Sequence, residues 1–396
     1  MNAPHEPTQR AHDVAPPEFP SRLPNVGTTI FTVMSALATE HEAVNLGQGF
    51  PDFGCDARIV DAVAKAMRDG HNQYPPMAGI AALRDAIASK IEAIHGRRYD
   101  PLTEVTVTAG ATQALLTAIL ATVHRGDEVV VLEPTYDSYL PSIELAGGTP
   151  VFVTLEAPDY RVPFDKLAAA ITPRTRLILI NTPHNPTGTV WHAEDMRKLE
   201  DIVRGTNVLI VSDEVYEHMV YDGAPHQSVA RYPELAARSF VVSSFGKTFH
   251  VTGWKVGYVA APAPLTAEFR KVHQFNVFTV NTPMQVGIAD YLGDPAPYLE
   301  LPAFYQRKRD FFRDGLGGTR FKLLPCEGTY FQCVDYSAIS DMSEEDFSKW
   351  LTREIGVAAI PVSAFYHERH ESGVVRFCFA KREETLATAL ERLSRL

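Results

Sequence analysis

Cysteine is scarce in this sequence: four in 396 residues, at positions 55, 326, 333 and 378, with no CxxC pair and no histidine at zinc spacing. That sets aside a disulfide framework and a structural zinc site, and leaves free, mostly buried thiols. Positive charge is short as well. The 37 Lys and Arg against 48 Asp and Glu give a formal net charge of −11, which argues against nucleic acid or an anionic membrane as partner. Long apolar runs are missing: ALLTAILATV at 114–123 carries threonines and falls far short of the ~20 residues of a membrane span.

What remains is ordinary globular composition, 45% hydrophobic and 21% charged, with no sign of disorder or fibrous repeat. A chain of 396 residues is too long for one simple core and fits two domains. The first 24 residues hold six prolines and no apolar h-region, so they read as a flexible arm and not a signal peptide, with the cytoplasm as the expected compartment.

From about residue 105 short β-rich runs alternate with helical stretches: VTVTAG then ATQALLTAILATVH, DEVVVLEP then YDSYLPSIELAG, TRLILINT then AEDMRKLEDIV. The runs RLILI and VLIV are apolar throughout, as strands are when helices cover both faces of a mostly parallel sheet. SFVVSSFG (239–246) and KVGYVAAP (255–262) lie too close for a helical crossover, so an antiparallel pair is expected there. After about 285 the pattern becomes that of a smaller α+β unit, with a long helix near 297–315, the helix SEEDFSKWLTREIG, the strand VVRFCFA and a last helix REETLATALERLSRL. The helix FTVMSALATEH precedes the sheet and is expected to pack on that unit. The fold class is α/β, divided as an arm (1–24), a large domain (57–285) and a small domain made of 25–56 and 286–396.

Several segments could carry chemistry. TAGATQA at 108–114 is a strand end, a glycine and a helix start, which leaves backbone N–H groups free for a phosphate. The same residues also suit a plain tight turn at Gly110; GxGxxG and the P-loop pattern are both absent there. LINTPHNPTG at 179–188 ends a buried strand in two X-Pro steps, at the carboxyl edge where open α/β sheets bind ligands. Asn185 there can donate to an oxygen anion or cap its own turn. VLIVSDEVY puts Asp213 at the end of an apolar strand, where a carboxylate needs a cationic partner. Lys247 follows a strand and a glycine in SSFGK. A lone lysine is usually a solvated surface charge, but one in a partly desolvated, electropositive site can lose its proton near neutral pH and form a Schiff base.

Read in order, GATQA, PTYDSY, NTPHNPTG, SDEVY, SSFGKTFHVTGWKVGY and VVRFCFA resemble the motif series of class I aminotransferases of fold type I, which bind pyridoxal phosphate. The resemblance runs over nearly the whole chain from about residue 22. NLGQGFPDF at 45–53 resembles the branch that holds kynurenine, glutamine and methionine transaminases. It implies a mostly parallel mixed sheet in the large domain and a homodimer with shared active sites. Lys247 then resembles the lysine that carries the cofactor and moves the proton as base and acid. Asp213 resembles the carboxylate that keeps the pyridine nitrogen protonated. Lys255 and Ser244 resemble phosphate contacts, with the backbone of Gly110, Ala111 and Thr112 completing the cradle. Tyr216 and Asn185 resemble donors to the ring's phenolic oxygen, Tyr136 the aromatic that stacks on the ring, and Tyr74 a tyrosine that reaches the neighbouring subunit's cofactor phosphate. Arg376 resembles the arginine that grips the substrate α-carboxylate, a task suited to its two-pronged donor geometry, with Asn185 and Gly49 beside it.

Family members that take aspartate use a second arginine from the partner subunit. The comparable stretch here, NVFTVNTP at 276–283, has no cation. A neutral amino donor is therefore expected: methionine first, then aromatic residues, leucine, glutamine or kynurenine, with Phe31 and Phe278 lining the side-chain pocket and a 2-oxo acid as acceptor. Two rivals use the same fold, a β-lyase acting on sulfur amino acids through the same Lys247 and a ligand-sensing binding protein. HERH at 367–370 prompts a metal-hydrolase idea, but its spacing is not HExxH.

Overall fold

The computed structural model describes residues 18–396, so most of the expected N-terminal arm lies outside the described residues. A two-residue strand β1 (Val44–Asn45) precedes the main sheet. That sheet comprises β2 (Val105–Thr108), β3 (Glu128–Glu133), β4 (Thr149–Thr154), β5 (Thr175–Asn181), β6 (Leu209–Asp213), β7 (Ser239–Ser244) and β8 (Gly257–Ala260). Its strand order is β2-β8-β7-β6-β5-β3-β4. From β7 to β4 every pairing is parallel, and β8 alone runs antiparallel to both its neighbours. The short 247–254 link thus makes the antiparallel pair expected of it.

The continuous apolar runs are explained by two covered faces. Along β3 and β5, Val129, Val131, Leu177 and Leu179 pack with Leu115 and Ile119 of the helix Gly110–Thr122. Their neighbours Val130, Leu132, Ile178 and Ile180 belong to the opposite core, with Leu83 and Ile87 of the helix Ala81–His95. Period-two geometry sends alternate residues to opposite faces, so a strand buried on both must be apolar at every position.

Register then gathers one edge. Asn181 pairs with Asp213, and Gly257 faces both Thr108 and Ser244. Because β8 runs the other way, its start meets the carboxyl ends of β2 and β7. Gly110, Lys247 and Lys255 are thereby brought to one edge of the sheet.

The second unit holds β9 (Lys322–Leu323), β10 (Phe331–Asp335), β11 (Val357–Ala358), β12 (Ile360–Pro361) and β13 (Val374–Cys378). Four of them form an antiparallel sheet in the order β12-β13-β10-β9, while β1 pairs in parallel with β11. The helix Ile30–Glu40 seats Met34 and Leu37 against Ile360 and Phe365, so the N-terminal helix packs on the C-terminal unit as its sequence suggested. Two helices that precede the sheet, Ala57–Arg68 and Ala81–His95, were not among the expected elements. The expected division at 285/286 falls inside the helix Thr282–Tyr291, which packs on Ala57–Arg68. Gly287 makes that approach feasible, since a Cβ there would sit 2.4 Å from Val63 Cγ2.

Candidate active site

A cavity of about 350 Å³ opens at the shared edge of the sheet. It is lined by Gly110, Ala111, Thr112 and Tyr136 from one side, Asn185, Asp213 and Tyr216 from the middle strands, Ser244, Lys247 and Lys255 from the β7–β8 link, and Phe31, Gly49 and Arg376 from the second unit. Of the residues singled out in the sequence, Tyr74 and Phe278 stay outside it. They pack edge to face on the surface with ring centroids 5.3 Å apart, Tyr74 79% exposed and Phe278 44%.

Asp213, buried at the end of β6, accepts from the Tyr139 hydroxyl at 2.7 Å and from the Val215 N–H at 3.4 Å. Burial pushes its carboxyl up to about 6, against the pull of Tyr139, Val215 and the Lys247 charge. A carboxylate held this way is poised for a cationic partner.

Lys247 lies in the turn Phe245–Thr248, capped by Ser244, whose Oγ accepts from the Gly246 N–H at 3.2 Å. Its Nζ donates to the Tyr330 hydroxyl at 2.8 Å and the Gly49 carbonyl at 3.3 Å. Burial, helped by the nearby Arg376 and Lys255 charges, brings this amine down to about 8. Near neutral pH a usable fraction is therefore the nucleophilic free amine.

At the other end, Gly110 starts its helix at φ +76°, and a Cβ there would meet Lys255 Nζ at 3.3 Å. Gly257 is equally constrained, since a Cβ would stand 2.6 Å from the Ser243 carbonyl and 3.1 Å from the Gly110 backbone. Two glycines thus let a cation and a helix N-terminus converge, a combination that suits a phosphate.

The Arg376 side chain is buried on β13. It donates to Asn185 Oδ1 at 2.6 Å and to the Gly47 carbonyl at 3.1 Å, while its buried Nε has no partner. With Oδ1 committed to Arg376, the Asn185 amide N–H groups are left for the cavity. The guanidinium lies 3.8 Å from the Phe331 ring centroid, 4.9 Å from that of Phe365 and 5.5 Å from that of Phe31. Phe31 therefore also acts as a wall of the arginine's aromatic clamp.

The HERH histidines take separate partners. His367 Nδ1 pairs with Glu133 at 2.8 Å and its ring stacks on Phe152, while His370 tilts on Tyr366. Among the described residues no group of three His, Cys, Asp or Glu could hold a metal ion, and no helix is long and apolar enough to cross a membrane. All four cysteines are free, three of them buried.

Two tyrosines and a phenylalanine at the site carried little sequence signal. Tyr139 follows Tyr136 by one helical turn within PTYDSY, which was its one clue. Tyr330 and Phe331 sit in EGTYFQ, which reads only as a turn and a strand.

The residues fit pyridoxal phosphate: a buried carboxyl for the ring nitrogen, a glycine-framed cradle with a cation for the phosphate, a lysine of lowered basicity, and an arginine with an unpartnered Nε for a carboxylate. Residues 41–393 match the family model of class I and II aminotransferases, and the chain belongs to that family. It is a pyridoxal-phosphate-dependent aminotransferase that works on an amino acid and a 2-oxo acid. Within the family it is 51% identical to the methionine aminotransferase of Escherichia coli, over 95% of this chain and 98% of that one. The solved N-succinyldiaminopimelate aminotransferase of Mycobacterium tuberculosis superimposes with a TM-score of 0.92 at 41% identity, covering 96% of this chain and all of that one (100%). The kynurenine–oxoglutarate transaminase of Dictyostelium discoideum is 35% identical over 93% of this chain and 94% of its own length.

Proposed function

We propose that this aminotransferase takes a neutral amino acid, methionine first and then aromatic residues, leucine, glutamine or kynurenine, and passes its amino group to a 2-oxo acid in a ping-pong cycle. The observation that carries this reading is the inventory of cations. Among the described residues the cavity is lined by Lys247, Lys255 and Arg376 and no other cation, and each of the three already has a task. A donor with a second carboxylate would bring that charge into a pocket with nothing to pair it, beside the carboxyl of Asp137.

In this reading Arg376 grips the α-carboxylate and the Asn185 amide steadies it, with Gly49 letting the loop come close. Bound pyridoxal phosphate supplies the electron sink for the departing α-proton. Lys247 holds the cofactor, then as a free amine takes that proton and returns it. Asp213 keeps the ring nitrogen protonated, Tyr216 donates to the ring oxygen and Tyr136 covers its face. Ser244, Lys255 and the backbone at Gly110, Ala111 and Thr112 hold the phosphate.

The reading also includes a cytoplasmic homodimer in which Tyr74 and Phe278 serve the partner's site, supported by their exposed ring pair and by four unpaired thiols, as a reducing compartment keeps them. It takes 25–56 and the C-terminal part as one small domain, on the strength of the β1–β11 pairing.

The test is the visible absorbance of the loaded protein before and after methionine alone, with keto acid and ammonia assayed in the same sample. Loss of the cofactor band with about one keto acid per site and no ammonia is the expected half-reaction. Continuous ammonia release would make the protein a β-lyase, and an unresponsive band would remove methionine from its donors.

A further inference from the structure

Lys247 is held by a residue with no role in the reading above. The Tyr330 hydroxyl donates to the Gly49 carbonyl at 2.5 Å, so its oxygen meets Lys247 Nζ, 2.8 Å away, as an acceptor. Gly49 is a second acceptor for the same Nζ at 3.3 Å. Tyr330 itself is buried and locked, edge to face with Tyr216 at 5.1 Å and with Phe331 at 4.8 Å.

The carbonyl is fixed from behind. Lys381 Nζ donates to the carbonyls on either side of it, to Phe50 at 2.8 Å and to Gln48 at 3.4 Å, so that segment directs alternate carbonyls to two different lysines. Two residues on, Asp52 accepts from the Arg382 N–H and the Thr385 hydroxyl, each at 2.6 Å. Position 49 has to be glycine, since a Cβ would lie 2.7 Å from Phe331 Cζ, in the ring that stacks on Arg376.

We propose that Tyr330, acting with the Gly49 carbonyl, is a positioning residue that docks the free Lys247 amine so that its lone pair faces the substrate α-carbon. A neutral amine has two N–H bonds and one lone pair. The Tyr330 oxygen and the Gly49 carbonyl lie 2.5 Å apart, close enough to share one N–H, so the lone pair and the other hydrogen point away from them. The balance of the step is simple: the lone pair takes the α-proton, the C–H electrons pass to the bound cofactor, and the resulting ammonium, still docked, returns the proton later. The other groups facing Lys247 are Arg376 and Lys255, which oppose its charge, Cys378 and Asp213, which favour it, and the Tyr216 ring, 5.5 Å from Nζ. The hydrogen bonds that hold the amine go to Tyr330 and Gly49.

This inference rests on Lys247 being the cofactor's lysine. Borohydride fixation of cofactor to the Lys247 peptide of the native enzyme checks that separately, and its failure would sink the proposed function itself. The test of the dock is Tyr330→Phe, which keeps the buried ring. In cofactor-free protein, the pH dependence of Lys247 acylation, followed by peptide mass spectrometry, should show the amine titrating lower, since an ammonium loses an acceptor. In loaded enzyme, kcat should fall at least tenfold with a larger isotope effect from Cα-deuterated methionine, while KM changes less than about twofold. If Tyr330→Phe does not fold, Lys381→Met, which loosens the segment on either side of the Gly49 carbonyl, should lower kcat and enlarge the isotope effect in the same direction by less. An unchanged lysine titration, or an unchanged isotope effect in a folded variant, would overturn the proposal.

Discussion

Tyr139 donates its phenolic hydrogen to Asp213 Oδ2 at 2.7 Å, and both side chains are buried. The bond favours the charged carboxylate and opposes the burial that drives its pKa upward. Tyr139→Phe should therefore raise the Asp213 pKa beyond about 6 and weaken its hold on a cationic ring nitrogen. A buried bond to a charged group contributes ~1.5–3 kcal/mol, so cofactor affinity should drop about 10- to 100-fold. Absorbance titration of cofactor-free protein reads this, and unchanged affinity would remove Tyr139 from the site.

Lys247→Ala should abolish turnover while leaving the fold intact, because the half-buried lysine side chain is anchored at its amine alone. Its circular dichroism should match the native protein. Substantial remaining transamination would displace Lys247 from its assigned role.

The Lys247 amine sits at about 8 in place of its ordinary 10.5. Only the neutral amine attacks an aldehyde, so the sign follows: capture should be slow where the amine is protonated, below about 8, and fast above. The initial rate of cofactor uptake should rise about tenfold per pH unit up to that point and then level. A rate still climbing beyond pH 9 would show a lysine with normal basicity.

Arg376→Lys keeps the charge and loses the fork. A lysine cannot reach the Asn185 and Gly47 oxygens and a substrate carboxylate together, nor stack on Phe331 as a plane. Steady-state assays with methionine should show kcat/KM down about 100-fold, mostly through KM. A loss confined to kcat would mean that Arg376 does not bind the carboxylate.

Phe278→Asp tests assembly. Phe278 is 44% exposed with φ +69°, a backbone that aspartate tolerates, so the isolated chain should stay folded. In the proposed homodimer the added charge falls at the subunit interface and should give monomers by sedimentation and loss of activity together. A fully active variant would place the interface elsewhere.

The sequence made the sheet and the cofactor end of the site legible for definite reasons. Runs such as RLILI, short, apolar throughout and alternating with helical stretches, read as strands covered on both faces, and the Lys247–Lys255 link is too short for a crossover. The helix Ala57–Arg68 was equally legible, with its Asp56 cap and buried Ile59, Val63 and Ala66 at helical spacing, yet lay outside the expected elements. Tyr330 was not legible. Its meaning depends on a carbonyl at residue 49 and an amine at residue 247, a meeting that only the docking of β10 beside β13 and the 47–50 loop creates. Phe31 shows the same limit: an aromatic near a pocket was foreseeable, its place around the Arg376 guanidinium was not.

The pairing of β1 with β11 has a consequence for how the chain is made. At ~5–20 residues per second, the helix Ile30–Glu40 and β1 leave the ribosome roughly 15–60 s before Val357 is added. During that wait the apolar side chains of Met34 and Leu37 have no Ile360 or Phe365 to meet, although the main sheet, complete by Ala260, can already assemble. This early-made segment is thus among the last of the described residues to find its place, with its apolar face waiting on the end of the chain.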